Sequence, residues 1–92
     1  MPDSAQHEPS EQARAIAARI VAARRGANLS AAELSRRCAV GSHSMWRYEN
    51  ARVTPGTAIL ARIAQHTGVS LEWLAMGDDA PATPAPDPER AA

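Results

Sequence analysis

Arginine is the side chain in this 92-residue sequence that is best equipped for recognition chemistry. All ten basic residues are arginine and none is lysine. A guanidinium group can donate two parallel hydrogen bonds to a phosphate or to a guanine edge, which an ammonium group cannot do. A GC-rich genome would produce the same bias, because alanine, glycine and proline are also abundant. The bias alone therefore indicates either nucleic-acid recognition or base composition.

The arginines are concentrated in the middle of the chain, although the formal net charge is zero. Residues 11–71 contain nine arginines against three acidic residues, a difference of +6. The remaining acidic residues lie before and after this segment. A basic body between acidic ends is typical of a nucleic-acid-binding domain, and the alternative is a surface of solvated arginines.

Catalytic and metal-binding chemistry has little support in the sequence. His7, His43 and His66 are far apart and lack paired carboxylates at helical spacing. There is no glycine-rich phosphate loop and no Cys/His spacing suited to zinc, so we expect neither an enzyme nor a metal or cofactor site. The single cysteine, Cys38, cannot form an internal disulfide. We interpret it as a small buried hydrophobe, with a redox-sensing thiol as the alternative.

Composition divides the chain into three parts. Residues 1–9 are polar without periodicity and predict a disordered lead-in, residues 10–77 predict one helical domain, and the proline-rich residues 78–92 predict a tail or linker. The apolar residues, 45% of the chain, are mostly alanine with few aromatics, which favours packed helices over strands. No membrane-length apolar stretch or signal peptide is present, so we expect a cytoplasmic protein without membrane contact.

Capping and stop signals predict five helices. Ser10, Ser30 and Ser70 stand where helix N-caps are expected, and Glu33 completes a capping box with Ser30. The first helix ends near Gly26 and Asn28, the third begins at Gly41 or Ser42, the fourth ends at Gly68 and the fifth ends at Gly77. Apolar spacing of three and four residues predicts these inward positions: Ala13, Ile16, Ala17, Ile20, Ala31, Leu34, Cys38, Met45, Tyr48, Leu60, Ile63 and Ala64.

The second and third predicted helices, within residues 30–50, are short and are separated by a break of about three residues around residues 39–41. This is the layout of a helix-turn-helix, in which the second helix of the pair enters a DNA groove.

From about Ile16 to Gly77, a set of short motifs shares one register: Arg24, Leu29-Ser30, Ala32-Glu33-Leu34, Arg47-Tyr48-Glu49-Asn50, Pro55, Ile63-Ala64 and Gly68-Val69-Ser70-Leu71-Glu72-Trp73-Leu74. Through these residues the chain resembles the phage repressor and Cro type of helix-turn-helix domain, also called the XRE family. The resemblance implies an all-α, five-helix lambda-repressor-like bundle in a prokaryotic or phage regulator. Repression is the family default. A single domain of this size buries too little double-stranded DNA for tight specific binding, so we expect a homodimer on a palindromic operator.

The resemblance places DNA base contacts on the outward side of helix three, at Ser42, His43 and Arg47, with Ser44 and Trp46 beside them. Arg47 can donate two hydrogen bonds to guanine O6 and N7, worth roughly 1–3 kcal/mol of discrimination. His43 can donate or accept a hydrogen bond, and Ser42 tolerates several bases. For Trp46 we expect contact with a thymine methyl or a sugar, and the alternative is packing over the helix surface.

The resemblance also implies phosphate contacts at Ser30, Ala31, Asn50 and Arg52. Ala31 stands where many relatives have glutamine, so the positive end of helix two would have to hold the phosphate there. Ala39 stands where relatives usually have glycine. We therefore expect a slightly different turn but the same fold. The arginines at positions 36 and 37 are either solvated or further phosphate contacts.

Two further roles are expected, the first from the resemblance and the second because the last helix carries more large apolar residues than one small core needs. Arg24 and Glu49 occupy positions that form a structural ion pair in the family, although Arg24 could lie unpaired on the surface. The last helix is the expected dimer contact, through Trp73, Leu74 and Met76. In the alternative, Trp73 only covers the end of the bundle.

A protein-binding helical module is the main alternative function, because antitoxins of this family combine DNA binding with a protein partner. The two functions differ in salt dependence, since phosphate contacts weaken strongly as salt rises. The chain could also be the DNA-binding part of a longer regulator, with the proline-rich segment as its linker.

Overall fold

A computed structural model describes residues 8–79, which form an all-α bundle and confirm the expected fold class. The expected lead-in up to residue 7 and the tail from residue 80 lie outside the described residues. No helix in the described part of the chain is long and apolar enough to cross a membrane. The helices are α1 (Glu11–Gly26), α2 (Ala31–Cys38), α3 (Ser42–Glu49), α4 (Thr57–Thr67) and α5 (Leu71–Met76), followed by a 3-10 turn at Gly77–Asp79.

Three serines determine where α1, α2 and α5 begin, as the sequence predicts. The hydroxyl oxygens of Ser10, Ser30 and Ser70 each accept a hydrogen bond of 3.0 Å from the backbone N–H three residues later. Glu33 Oε1 accepts from the Ser30 N–H at 2.9 Å, which completes the capping box. These bonds satisfy N–H groups that have no partner inside a helix.

All five helices contribute to one hydrophobic core. Helix α1 packs against α3, α4 and α5, while α2 packs against α3 and α4. Burial of Met45 in this core fixes α3 against the rest of the domain and leaves the opposite side of α3 in solvent. The largest side chains that are fully buried are Ile20, Leu34, Cys38, Met45, Ile63 and Leu74.

The predicted inner face of α2 is wrong at one position. Ala31 is exposed, and Ser35 is buried instead, at 3% exposure. Ala31 is the first residue of the helix, where the chain is still entering the bundle, whereas Ser35 lies beside Leu34 and one turn before Cys38. The Ser35 hydroxyl donates to the Ala31 carbonyl at 2.7 Å, so burial leaves no polar atom unpaired there.

Ala39 makes the turn between α2 and α3 in a left-handed conformation, with φ 58° and ψ 40°. The N–H of Val40 donates to the Ser35 carbonyl at 3.0 Å, closing the end of α2. Glycine is favoured in this conformation because it has no Cβ. The turn is therefore left-handed even though alanine stands where relatives usually have glycine, and alanine adopts this conformation at some cost in free energy.

Candidate nucleic-acid interface

Helix α3 is held at its C-terminal end by an ion pair with α1. Arg24 Nε donates to Glu49 Oε2 at 2.8 Å, and Arg24 Nη2 donates to Glu49 Oε1 at 3.1 Å. The two side chains are only 15% and 9% exposed. Arg24 Nη1 also donates to the Leu29 carbonyl at 3.2 Å. The pair implied by the resemblance is thus present, and it supports α3 from behind.

The side of α3 that faces away from the core is polar and exposed. Ser42, His43 and Arg47 are exposed, as is Trp46 at 50%, while Ser44 is half-buried at the margin. The residues expected on the inner side behave accordingly: the buried side is fixed by Met45, and by Tyr48, which packs partly against the core. All the base-contact positions expected from the sequence are therefore on or beside one accessible helix face.

An aromatic stack on this face was not expected from the sequence. The His43 and Trp46 rings lie nearly parallel, 8° apart in plane, with centroids separated by 5.9 Å. The Arg52 guanidinium carbon lies 6.0 Å from the Trp46 ring centroid. Trp46 thus packs against two other side chains on the protein surface, and the residue remains 50% exposed. The three-residue spacing of His43 and Trp46 is the sequence feature that could have predicted contact between the two rings, because residues three apart are neighbours on a helix surface.

The loop after α3 explains how Arg52 reaches the stack. Ala51 has a left-handed φ of 59°, which turns the chain back toward the helix. The Arg52 N–H donates to the Arg47 carbonyl at 2.9 Å. Asn50 Nδ2 donates to the Trp46 carbonyl at 2.8 Å, so this amide closes the end of α3. Asn50 and Arg52, expected as phosphate contacts, are both exposed next to the outer face of α3.

The beginning of α2 is polar but less basic than the α3 face. Ser30 and Ala31 are exposed, and the Ser30 hydroxyl oxygen and N–H are both used in the capping box. The Ser30 backbone N–H lowers the pKa of Glu33 below its ordinary value of 4.5, because the hydrogen bond favours the ionised carboxylate. A phosphate near Ser30 would therefore meet the positive end of the helix and a negative side chain together.

The structure separates the arginines of residues 11–71 into two groups. Several donate hydrogen bonds within the domain, including Arg62 to the Cys38 carbonyl at 3.1 Å and Arg19 to the Leu74 carbonyl at 3.0 Å. Sequence spacing gave no signal for these contacts, which join different helices. In the second group the side chains are exposed and make no hydrogen bond within residues 8–79; these are the arginines at positions 25, 36, 37, 47 and 52.

Helix α5 places the three expected dimer-contact residues differently from one another. Leu74 is fully buried in the core of a single chain, so its side chain is not available to a second copy, and the expectation is corrected at this residue. Trp73 is half-buried against the core, as its alternative role required, and Met76 is 42% exposed. Leu74 points inward because it is one turn past Ser70, on the side of α5 that meets α1 and α4.

Cys38 is buried with no exposed surface, as its interpretation as a hydrophobe requires. Burial raises the pKa of its thiol, because the thiolate would lose its hydration. Within residues 8–79 no group of three His, Cys, Asp or Glu side chains is arranged to hold a metal ion.

Comparison with known proteins identifies the same region. The sequence model of a family described as "Helix-turn-helix domain" matches residues 15–75, about two thirds of the chain. The match includes the whole of α2, the turn at Ala39 and α3. Neither a curated protein nor a solved structure matches the chain.

Proposed function

The chain belongs to the helix-turn-helix domain family, and we propose that it is a sequence-specific transcriptional regulator that inserts α3 into the major groove of DNA. The observation that carries this proposal is the outer face of α3. Its exposed residues can donate and accept hydrogen bonds, while its inner face is fixed by a buried methionine and an ion pair. A helix held in this way can present side chains to base edges without losing its own packing.

The individual residues divide into two kinds of contact. Arg47, with Ser42 and His43, is assigned to base edges, and Ser44 and Trp46 lie beside them. Arg52 and Asn50 are assigned to phosphates flanking the groove, together with the start of α2 at residues 30–31. Phosphate contacts set affinity and position, whereas the base contacts carry the sequence preference.

A homodimer on a palindromic operator completes the proposal, in keeping with a regulator of the phage repressor and Cro type that acts as a repressor. A single small module covers only about 600–1,000 Å² of its own surface on DNA, which is little for tight specific binding. Two copies related by a two-fold axis would double this area. Exposed Met76 and the accessible part of Trp73 support α5 as the contact between them.

The test is selection of bound duplexes from a random pool, followed by fluorescence anisotropy at about 50 and 200 mM salt. We expect a palindromic sequence to be enriched and its affinity to fall strongly with salt. Arg47→Ala should lose preference at particular base pairs while retaining binding to nonspecific DNA. Arg14→Ala is the matched control, because it removes the same charge far from α3. Arg14 lies about 15 Å along α1 from Arg24, the residue of α1 that is paired with α3.

Two outcomes would reject the proposal in different ways. Uniform weak binding that Arg47→Ala leaves unchanged would indicate phosphate attraction without base recognition. No binding at low salt would exclude the DNA function and favour the alternative of a helical module that binds a protein partner, as antitoxins of this fold do.

A further inference from the structure

We propose that Trp46 is a positioning residue, whose indole holds the Arg52 guanidinium and the His43 imidazole as one preorganised unit on the outer face of α3. The inference rests on the proposed function, because it concerns how these two side chains meet DNA. It differs from direct contact with a thymine methyl, in which Trp46 would act alone. The supporting geometry is the pair of ring contacts, at 5.9 Å to His43 and 6.0 Å to Arg52.

The stack leaves the hydrogen-bonding atoms of both partners available. A guanidinium carries its N–H groups in its own plane, and an imidazole carries its two nitrogens on the ring edge. Packing against the Trp46 ring uses none of these donors and acceptors, so it restricts where the two groups lie and leaves them available. The near-parallel arrangement of the His43 and Trp46 rings, 8° apart, is the arrangement that this requires for His43.

Backbone structure fixes the origin of each partner. His43 and Trp46 are three residues apart on α3 and so lie on one side of the helix. Arg52 is brought back over the helix by the left-handed Ala51 and by its N–H bond to the Arg47 carbonyl. What remains mobile in Arg52 is its long side chain, and ring contact removes part of the rotamer entropy that DNA binding would otherwise have to overcome.

Charge in the surroundings favours the same arrangement. Glu49, the acidic residue closest in sequence to Arg52, is engaged by Arg24 through two hydrogen bonds. Its carboxylate is therefore directed toward α1 and does not draw Arg52 away from the outer face of α3. The Trp46 ring, half exposed, is the contact that the structure provides for the Arg52 guanidinium.

The first test uses the protein without DNA. In proton NMR, ring currents of Trp46 should displace the side-chain resonances of Arg52 and the ring resonances of His43 from random-coil positions. Trp46→Ala should abolish these displacements, and Trp73→Phe, which changes the other tryptophan, should preserve them. Random-coil shifts in the unmodified protein would overturn the proposal irrespective of its DNA binding.

The second test is a double-mutant cycle on the selected operator. We expect Trp46→Ala to weaken binding about fivefold when Arg52 is present and less than about twofold when position 52 is already alanine. Trp46→Phe keeps an aromatic face and should restore most of the affinity. The slope of log K against log salt is negative, and Arg52→Ala should make it less steep by about 0.9 per protomer. Trp46→Ala should make it less steep by a smaller amount.

The outcomes separate this inference from the function on which it rests. Equal losses from Trp46→Ala in both backgrounds would show that Trp46 touches DNA independently, and the positioning role would be wrong while DNA binding stands. An unmodified protein that binds no DNA, yet shows the ring-current displacements, would reject the proposed function and with it the role of the stack in recognition.

Discussion

Arg24 and Glu49 are joined by two hydrogen bonds, of 2.8 and 3.1 Å, between residues that are 25 positions apart in the chain. The same guanidinium donates to the Leu29 carbonyl, just before α2. One side chain at the end of α1 therefore orients both the start of α2 and the end of α3. Since α3 carries the proposed base contacts, the pair links the stability of the bundle to the position of its recognition face.

Removal of the arginine should strand the carboxylate. We expect Arg24→Met to lower the free energy of unfolding by about 3 kcal/mol, because Glu49 is 9% exposed and would lose its cation. The measurement is urea denaturation followed by circular dichroism at neutral pH. Arg25→Ala, at the exposed neighbouring position, should change stability by no more than about 0.5 kcal/mol. Equal losses in the two variants would show that the ion pair contributes nothing particular.

Ala39→Gly should stabilise the protein, against the usual effect of introducing glycine. The left-handed φ of 58° costs an alanine about 1–2 kcal/mol, whereas glycine adopts it freely. The greater freedom of glycine in the unfolded chain removes about 0.4–1 kcal/mol of that gain. We therefore expect a net increase of about 0.5 kcal/mol in the free energy of unfolding, measured by urea denaturation.

Ala22→Gly provides the control for this substitution. Ala22 is exposed within α1, where glycine has a cost of about 1 kcal/mol relative to alanine. The two substitutions are chemically identical and should act with opposite sign. A loss of stability in both would contradict the strain assigned to the turn.

Sequence was sufficient for the features that depend on residues close together in the chain. The caps at Ser10, Ser30 and Ser70 and the left-handed Gly68 at the end of α4 depend on hydrogen bonds within a few residues, so their signals are local. Ala31 was misplaced because periodicity does not show where a helix enters the bundle. Its first residue can lie outside the packed face that the later turns define.

Contacts across the bundle required the structure. Arg19 and the Leu74 carbonyl are 55 residues apart, and Arg62 and the Cys38 carbonyl are 24 apart. Both arginines satisfy a carbonyl group near the end of another helix, and nothing in the sequence distinguishes them from arginines that make no such bond, such as Arg47. For the candidate site, the face of α3 could be expected from the resemblance. The Arg52 contact depends on the backbone turn at Ala51, which has no glycine to mark it.

The capping box should make a measurable contribution to acid sensitivity. The Ser30 N–H bond lowers the Glu33 pKa in the folded state, so folding favours the ionised carboxylate. The corresponding stability is present above the ordinary value of 4.5 and is lost as pH falls through the lower folded-state pKa. Glu33→Gln should therefore flatten the acid side of a plot of unfolding free energy against pH, measured from about pH 7 to pH 3.

Ser10→Ala is the control for the acid profile. It removes an N-cap of the same geometry from α1, where the hydroxyl accepts from the Ala13 N–H at 3.0 Å and no reciprocal glutamate bond is made. We expect it to lower stability by about 1 kcal/mol at every pH without changing the slope. An unchanged acid slope in Glu33→Gln would contradict the assigned role of the carboxylate.

Gly77 is the position where a single added carbon should be most damaging to the end of α5. Its φ of 63° and ψ of −141° lie in a region that residues with a Cβ avoid, and an added Cβ would lie 2.7 Å from Arg19 Nε. Arg19 would have to move, weakening its 3.0 Å bond to the Leu74 carbonyl. We expect Gly77→Ala to lower the free energy of unfolding by about 2 kcal/mol in thermal or urea denaturation.

Two variants separate the contributions to this loss. Gly26→Ala adds the same carbon at the last residue of α1, where nothing lies within 4 Å and the backbone is not left-handed, so it should be neutral or slightly stabilising. In an Arg19→Ala background the steric part of the Gly77→Ala penalty should vanish and the backbone part should remain, giving a smaller loss than in the unmodified protein. If the loss is the same in both backgrounds, Arg19 is not in contact with Gly77 in solution, and the backbone conformation alone explains the requirement for glycine.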